Sequence, residues 1–556
     1  MGLRRNFKFP ARTKTGVLIL TAAGVALTSA ASTAFGGAAS FSRDSPSPAR
    51  HFPEKIAAVI EGVVRSSRAI YAIAFTVADY KYSLRRLPVE SEEYLHRLTE
   101  VHLRSAKRIL KLCEINKGFY IKAGQFVAAM KQVPKEYTLT LSSLQDQAVP
   151  CHFQPIKEVL IGNLGLSPSE IFLSFDEEPI AAASIAQVHH AVLKDHQEVA
   201  VKVQYPGLEQ KMRLDTTIMS FLSKSVAKLF PDYRFDWLVT EFVKAISQEL
   251  DFIQEAKNSE RTAKNFKNNK MVIVPRVFWE LTTNRVLTMQ FCEGLKVDDV
   301  KSLKISNISP VKVANALVEV FAEMIFVHGF IHGDPHPGNI LVSPRGKNGF
   351  SLVLLDHGNC KTLDEGFRWD YCQLWKALIL LDSNKVQEVG EHFGVGKYAK
   401  FFPVIFTGRT SNSKSALGKG MSIQERQQLK QELKLLTMED ITSFMESLPP
   451  DFLAVLRTDG LIRSITSKLG APHRVRLFAY AKYALYGLAR RPASQTELAA
   501  TSSMLSRSIT YMGYLRFRLI LELMDLFQGI NRLKHYVHRL WERIKSIRVS
   551  RVTGMS

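Results

Sequence analysis

Three short segments, in a fixed order, limit this chain more than any other feature. The first is Glu198-Val-Ala-Val-Lys202-Val-Gln204, where Val199, Val201 and Val203 alternate with Ala200 and Lys202. That is the two-residue period of a β-strand. Ile185–Leu193 upstream also reads as a strand, and the polar Lys194–Gln197 between them completes a β-hairpin. The second is His332-Gly-Asp334-Pro-His336-Pro-Gly-Asn339-Ile-Leu-Val342, with Asp334 and Asn339 five positions apart. The third is Leu352-Val-Leu-Leu-Asp356-His-Gly358, an apolar strand that delivers a carboxylate seventeen positions after Asn339.

Alone, each segment has an ordinary reading. A strand lysine is often a solvated edge residue, Pro335, Pro337 and Gly338 suit a plain turn, and Asp-x-Gly is a common turn. In this order they match the phosphate-pairing lysine, the H-x-D-x-x-x-x-N catalytic loop and the D-x-G metal ligand of protein-kinase-like folds. The chemistry needs these residue types. A carboxylate accepts or orients the nucleophile's proton, an amide oxygen and a second carboxylate hold magnesium, and a lysine neutralises phosphate. His332-x-Asp334-x-His336 is also a possible metal trio, but imidazole-rich sites suit transition metals and nothing else in the sequence completes one. No Gly-rich loop precedes the hairpin, where Ala181-Ala182-Ala183-Ser184 stands instead. A Walker A loop is absent too, because Gly394-Val-Gly396-Lys397 lacks the first glycine and is followed by Tyr398.

With these residues in view, the chain resembles the UbiB family of atypical kinases, also called activity-of-bc-one-complex-like or aarF-domain-containing kinases. Lys122-Ala-Gly124-Gln125 matches the family's K-x-G-Q motif, Ala181–Ser184 its Ala-rich nucleotide loop, and Glu249-Leu-Asp251 its E-x-D motif. Glu255 falls where the family's helix-C glutamate pairs with the strand lysine, here Lys202. The resemblance covers roughly residues 90–395. Ser91–Tyr94 and Val101–Ala106 are similar to the mitochondrial branch that has no assigned lipid product.

The resemblance implies an α+β, protein-kinase-like two-lobed fold with an N-terminal helical extension and a C-terminal helical region. The expected divisions are a targeting segment with possible anchor (1–50), the helical extension (51–178), an N-lobe (179–295), a C-lobe core (296–395) and a mostly helical remainder (396–556). It implies ATP as ligand, with Mg2+ or Mn2+ on Asn339 and Asp356. Lys202, held by Glu255, would meet the phosphates beside Ala181, Ala182, Ala183 and Ser184, and Asp334 would be the base or orienting carboxylate. Lys122 would reach Glu249 and Asp251 to hold the extension shut, with Gly124 allowing close approach and Gln125 adding a polar cap. The expected function is an atypical kinase or ATPase in mitochondrial lipid or coenzyme Q homeostasis. Peptide phosphorylation is doubtful, because the extension covers the peptide site in the family and no A-P-E segment follows Asp356. Two rivals stand beside it: a small-molecule kinase of the aminoglycoside or choline type, whose loop also reads H-G-D-x-H-x-x-N, and a nucleotide-binding pseudokinase scaffold.

Composition bears on partners and address. The chain has 556 residues, with Lys+Arg 74 against Asp+Glu 52 and a net charge of +22, which favours an anionic partner. No finger, aromatic RNA motif or basic tract supports nucleic acid, so an adenine nucleotide and an anionic membrane or lipid are the expected partners. The 5 cysteines include no C-x-x-C pair, against a disulfide scaffold or a cysteine zinc site. The first 43 residues carry Arg4, Arg5, Lys8, Arg12, Lys14 and Arg43 and no acid, with an uncharged run from Gly16 to Ser42. A mitochondrial address is expected, with a plastid or secretory one as the alternative. Between Phe52 and Cys113, Val63, Ile70, Ile73 and Val77 recur at helical spacing, and Asn412–Gly420 reads as a loop. Near the other end, Arg507–Arg551 has ten basic and three acidic residues around a leucine-rich stripe. That stripe is either a helix lying on an anionic membrane or one packed on its own domain.

Overall fold

The computed structural model describes residues 52–88, 91–128, 133–146, 150–229, 236–345, 349–410, 421–434 and 447–489, with Phe444, Met512, Leu515 and Leu519. The leader, the loop at 412–420 and nearly all of Arg507–Arg551 lie outside the described residues. The chain forms two compact units. Of the described residues, one unit takes those up to Val297 and His332–Cys360; the other takes Asp298–Ile331 and the described residues from Lys361 to Thr407, Ile423 to Lys434 and Pro450 to Ala489. Among the described residues no helix is long and apolar enough to cross a membrane.

The first unit opens with helices α1 (Phe52–Ser83), α2 (Glu92–Asn116), α3 (Phe119–Ala128) and α4 (Lys135–Leu141). Ser91 caps α2 by accepting from Tyr94 N at 3.1 Å, and Glu92 and Glu93 occupy its first turn. Both features favour a helix start at that point. Tyr94, Leu98, Val101, Ser105 and Leu112 form the buried face of α2 at helical spacing.

Helix α5 (Phe153–Leu164) precedes a five-stranded antiparallel sheet of β1 (Phe172–Phe175), β2 (Ala181–Ala182), β3 (Ala186–Leu193), β4 (Glu198–Gln204) and β6 (Val286–Gln290). The order is β1-β3-β4-β6, with β2 added on β3. The expected hairpin is β3–β4, with Val188 opposite Lys202, and Lys202 in turn opposite Leu287 of β6. Val199, Val201 and Val203 pack with Ile156 and Leu160 of α5. The opposite face holds Ala186 and Leu287 in a cluster with Phe252 and Ala256 of α8 (Phe252–Asn265) and with Phe119 and Tyr120 of α3. Both faces of the sheet are therefore covered, which is why Lys202 is only 6% exposed although it alternates with valines. Between the sheet strands run α6 (Leu208–Leu229) and α7 (Asp236–Glu249).

A second sheet has the order β5-β9-β8-β7, made of β5 (Val272–Ile273), β7 (Leu295–Lys296), β8 (Ile340–Arg345) and β9 (Gly349–Leu354). β8 and β9 pair antiparallel with Leu354 opposite Ile340. Leu355 N donates to Asn339 O at 2.9 Å, so this register brings Asn339 beside the approach to Asp356.

The second unit is helical: α9 (Pro310–Ala322), α10 (Glu365–Leu380), α11 (Ser383–His392), α12 (Pro450–Lys468) and α13 (His473–Ala489). Its core is aromatic, with Phe326 stacked on Tyr371 at 5.4 Å and Trp375 edge-on to Tyr480 at 4.8 Å. Asp459 is buried among these rings, which would raise its carboxyl. Arg476 at 3.0 Å and Arg463 at 2.6 Å overcome that and hold it below the usual carboxylate range.

Candidate active site

Lys202, on the covered face of β4, donates to both carboxylate oxygens of Glu255, at 2.8 and 2.9 Å. Helix α8 presents that glutamate because Asp251 fixes its start, accepting from Ile253 N and Gln254 N. Lys202 also lies 3.2 Å from Asp356 Oδ1. One ammonium thus serves two carboxylates. Burial would lower the Lys202 pKa, but Asp356 and then Glu255 raise it. Burial pushes Glu255 up; Lys202 pulls it down, Asp356 repels it, and the result is about 7. Asp356 responds in the other direction. Burial would raise it, yet Lys202 and Lys122 hold it well below the usual carboxylate range. Of two like charges around one cation, the more enclosed acid is the easier to protonate.

Asp356 has φ +52°, a left-handed backbone that is strained for a residue with a Cβ. Its Oδ1 accepts from Gly358 N at 3.3 Å. Opposite it, the loop at 332–339 is tied internally. Asn339 Nδ2 donates to Asp334 O at 3.1 Å, which leaves Oδ1 as the amide's remaining acceptor. His332 joins the two halves: Nε2 meets Leu355 O at 2.9 Å and Nδ1 accepts from Asp334 N at 3.3 Å. Gly333 donates to Asn359 O at 2.6 Å, and a Cβ on Gly333 would stand 2.9 Å from that oxygen, so the approach requires glycine.

The Ala-rich segment divides into strand and turn. Ala181 and Ala182 pair with Val188 and Gln187, and Ala183 N donates to Ala186 O at 2.8 Å. Ser184 is buried in that turn, and its hydroxyl has no hydrogen-bond partner among the described residues.

In the extension, Lys122 Nζ lies 2.9 Å from Glu249 Oε2. Burial would lower the Lys122 pKa; Glu249, then Asp334 and Asp356, raise it. The expected contact with two carboxylates is made with one: Asp251 is occupied as the cap of α8. Gly124 does permit a close approach, though within the extension itself, because a Cβ there would stand 2.3 Å from Leu144 Cδ1 and 3.2 Å from Cys113 Sγ. Gln125 Nε2 donates to Leu144 O at 2.9 Å and secures the same segment.

Residues 143–390 match the model of the ABC1 atypical kinase-like domain. The chain is 40% identical over 423 residues to AarF domain-containing protein kinase 1 of Xenopus laevis, covering 75% of this chain and 81% of that one. The mouse protein of the same name is 40% identical over 413 residues, with 74% and 78% covered. AarF domain-containing kinase 1 of Drosophila melanogaster is 36% identical over 422 residues, with 75% and 82% covered. The chain belongs to the ABC1/AarF family of atypical kinases. It is accordingly an enzyme of phosphoryl transfer with a kinase-like fold.

In this ABC1/AarF site several supporting residues carry no motif signal. Phe252 lies beneath Lys202, its ring centroid 5.0 Å from Nζ. Asn258 Nδ2 donates to His357 O at 3.0 Å and anchors the Asp356 turn to α8. Asn258 is three positions after Glu255, on the same helical face, and that spacing is the only sequence signal for it. His357 packs edge-on to His332 at 5.4 Å; burial, then His332, lowers its pKa to about 3, so the ring is neutral. Among the described residues no three His, Cys, Asp or Glu side chains gather as a metal site. The metal-binding potential rests on one carboxylate and one amide, the hard oxygen donors that magnesium takes alongside water and phosphate.

Proposed function

We propose that this chain binds ATP with magnesium in the site around Lys202 and transfers or releases the terminal phosphoryl group. The observation that carries the reading is the bridge from Lys202 to both Glu255 and Asp356. Glu255 positions the lysine, and nucleotide phosphates replace Asp356 as its second partner. Asp356, kept ionised, and the Oδ1 of Asn339 are the residues that would hold the metal, which when bound neutralises phosphate charge. Asp334 accepts or orients the proton of the attacking hydroxyl or water. The Ser184 hydroxyl is a donor awaiting an acceptor at the turn expected to meet the nucleotide.

Lys122 restrains this machinery. It ties α3 to Glu249 and lies in the field of Asp334 and Asp356, so the extension and the reacting groups share charge. This favours a small or intramolecular phosphoacceptor over a docked peptide. The acid-free leader supports a mitochondrial address, and the cationic chain supports an anionic membrane as the setting, in lipid or coenzyme Q homeostasis.

The test is ADP release by the purified full-length protein, with and without anionic vesicles, beside Asp334→Asn and Lys202→Met. Magnesium-dependent release lost in both variants supports the reading. Release unchanged in both variants refutes the assignment of these residues.

A further inference from the structure

Helix α1 is apolar on two sides. Ala69, Ala72, Val77 and Leu84 face inward and are buried. Ile60, Val64, Tyr71, Phe75 and Tyr82 face outward, exposed by 58%, 40%, 68%, 48% and 73%. With the exposed Ser67 and Ala78 they follow an eleven-residue repeat: Ile60, Tyr71 and Tyr82; Val64 and Phe75; Ser67 and Ala78. Eleven residues make three turns with little angular drift, so the row is a straight stripe, about 33 Å long at 1.5 Å per residue. Each of these five apolar side chains keeps at least 40% of its surface exposed.

The margins of the stripe are cationic. Arg68, Arg85 and Arg86 are exposed. The Arg85 guanidinium lies 5.2 Å from the Tyr82 ring centroid and that of Arg108 lies 4.5 Å from Phe75. The nearby acids are engaged, Glu61 with Lys211 at 3.0 Å, and Asp79 with Arg104 at 2.8 Å and Arg108 at 3.1 Å. Two copies of such a surface repel each other. An anionic bilayer satisfies both of its elements, taking the aromatic and aliphatic row at the headgroup boundary and the guanidiniums at lipid phosphates.

We propose that the outer face of α1 is a docking surface that lays the protein on an anionic membrane. This deepens the membrane setting proposed above by naming the surface, and it uses residues outside the phosphoryl-transfer site. The experiment is flotation of the full-length protein with phosphatidylcholine vesicles, with and without phosphatidylglycerol. Wild type is compared with Tyr71→Ser/Phe75→Ser/Tyr82→Ser and with Arg68→Gln/Arg85→Gln/Arg86→Gln, and all three are sized by light scattering. The expected result is binding that needs the anionic lipid, at least tenfold weaker in the aromatic variant, and weakened in the arginine variant with a shallower salt dependence. Because all six positions are exposed, thermal melting should be unchanged. A blue-shifted emission from Tyr71→Trp on adding anionic vesicles reports insertion directly. Wild type that fails to bind any vesicle overturns the docking surface and the membrane setting together. Variants that bind like wild type overturn the docking surface alone. A wild-type dimer that the aromatic variant dissociates, with vesicle binding unchanged, reassigns the stripe to self-association.

Discussion

Lys202 Nζ lies 3.2 Å from Oδ1 of Asp356 while it donates to both oxygens of Glu255. The lysine that is to meet a nucleotide is therefore already saturated by protein carboxylates, and one of the two acids is surplus. The site stores that surplus as a proton affinity on Glu255.

The consequence is a pH-dependent stability. Glu255 is raised from an ordinary 4.5 to about 7, so the folded state holds a proton that the unfolded chain releases. The contribution is whole below about pH 4.5 and is lost as pH rises through about 7. Asp356→Asn removes the repelling charge and lowers the Glu255 pKa. The decline in unfolding free energy between pH 5 and pH 8 should then shrink by about 1–2 kcal/mol, at 1.36 kcal/mol per pKa unit. Urea denaturation of both proteins at the two pH values measures it, and an equal decline would show that Asp356 does not repel Glu255.

Lys122→Ala leaves Glu249 without its cation at a contact where the two side chains are 21% and 13% exposed. That is short of full burial, so the loss should be about 1–3 kcal/mol, below the range for fully buried pairs. Loosening of the extension should raise autophosphorylation. A variant with wild-type melting and wild-type autophosphorylation would return Lys122 to an ordinary helix lysine. Asp251→Ala should lose only the cap of α8, about 1 kcal/mol, with no gain in autophosphorylation.

Gly124→Ala places a methyl group 2.3 Å from Leu144, which is 1% exposed. Overpacking of this kind destabilises by about 1–3 kcal/mol. Leu144→Ala in the same chain should give a double variant that loses less than the sum of the two single losses, because the added methyl then has room. If the single losses simply add, or the double variant is less stable than their sum, the clash is not the cause.

The central site was legible because its residues are consecutive in pattern: an alternating strand places Lys202, and a hairpin register joins Asn339 to Asp356. Capping was not legible at Asp251, because a carboxylate before a helix and a carboxylate facing a lysine look alike until the backbone is placed. Helix α1 was legible as a helix, but not which of its faces is buried. Val63, Ile70, Ile73 and Val77 have helical spacing, yet Val63 is 37% exposed and Val77 is buried. A helix that is apolar on two sides has a visible period and no unique inner face. The left-handed backbone of Asp356 and the parallel pairing of β5 with β9 depend on distant contacts, and no local composition encodes them.

The most direct test of the account is thermal stabilisation by ATP, measured with magnesium and with excess chelator, in wild type and in Asp356→Asn. Ligand binding to the folded state adds about 2.7 kcal/mol at one hundred times Kd, a shift of several degrees. Wild type should be stabilised by ATP with magnesium and little in chelator, and Asp356→Asn little under either condition. Equal stabilisation of wild type with and without the metal, matched by Asp356→Asn, would contradict the account.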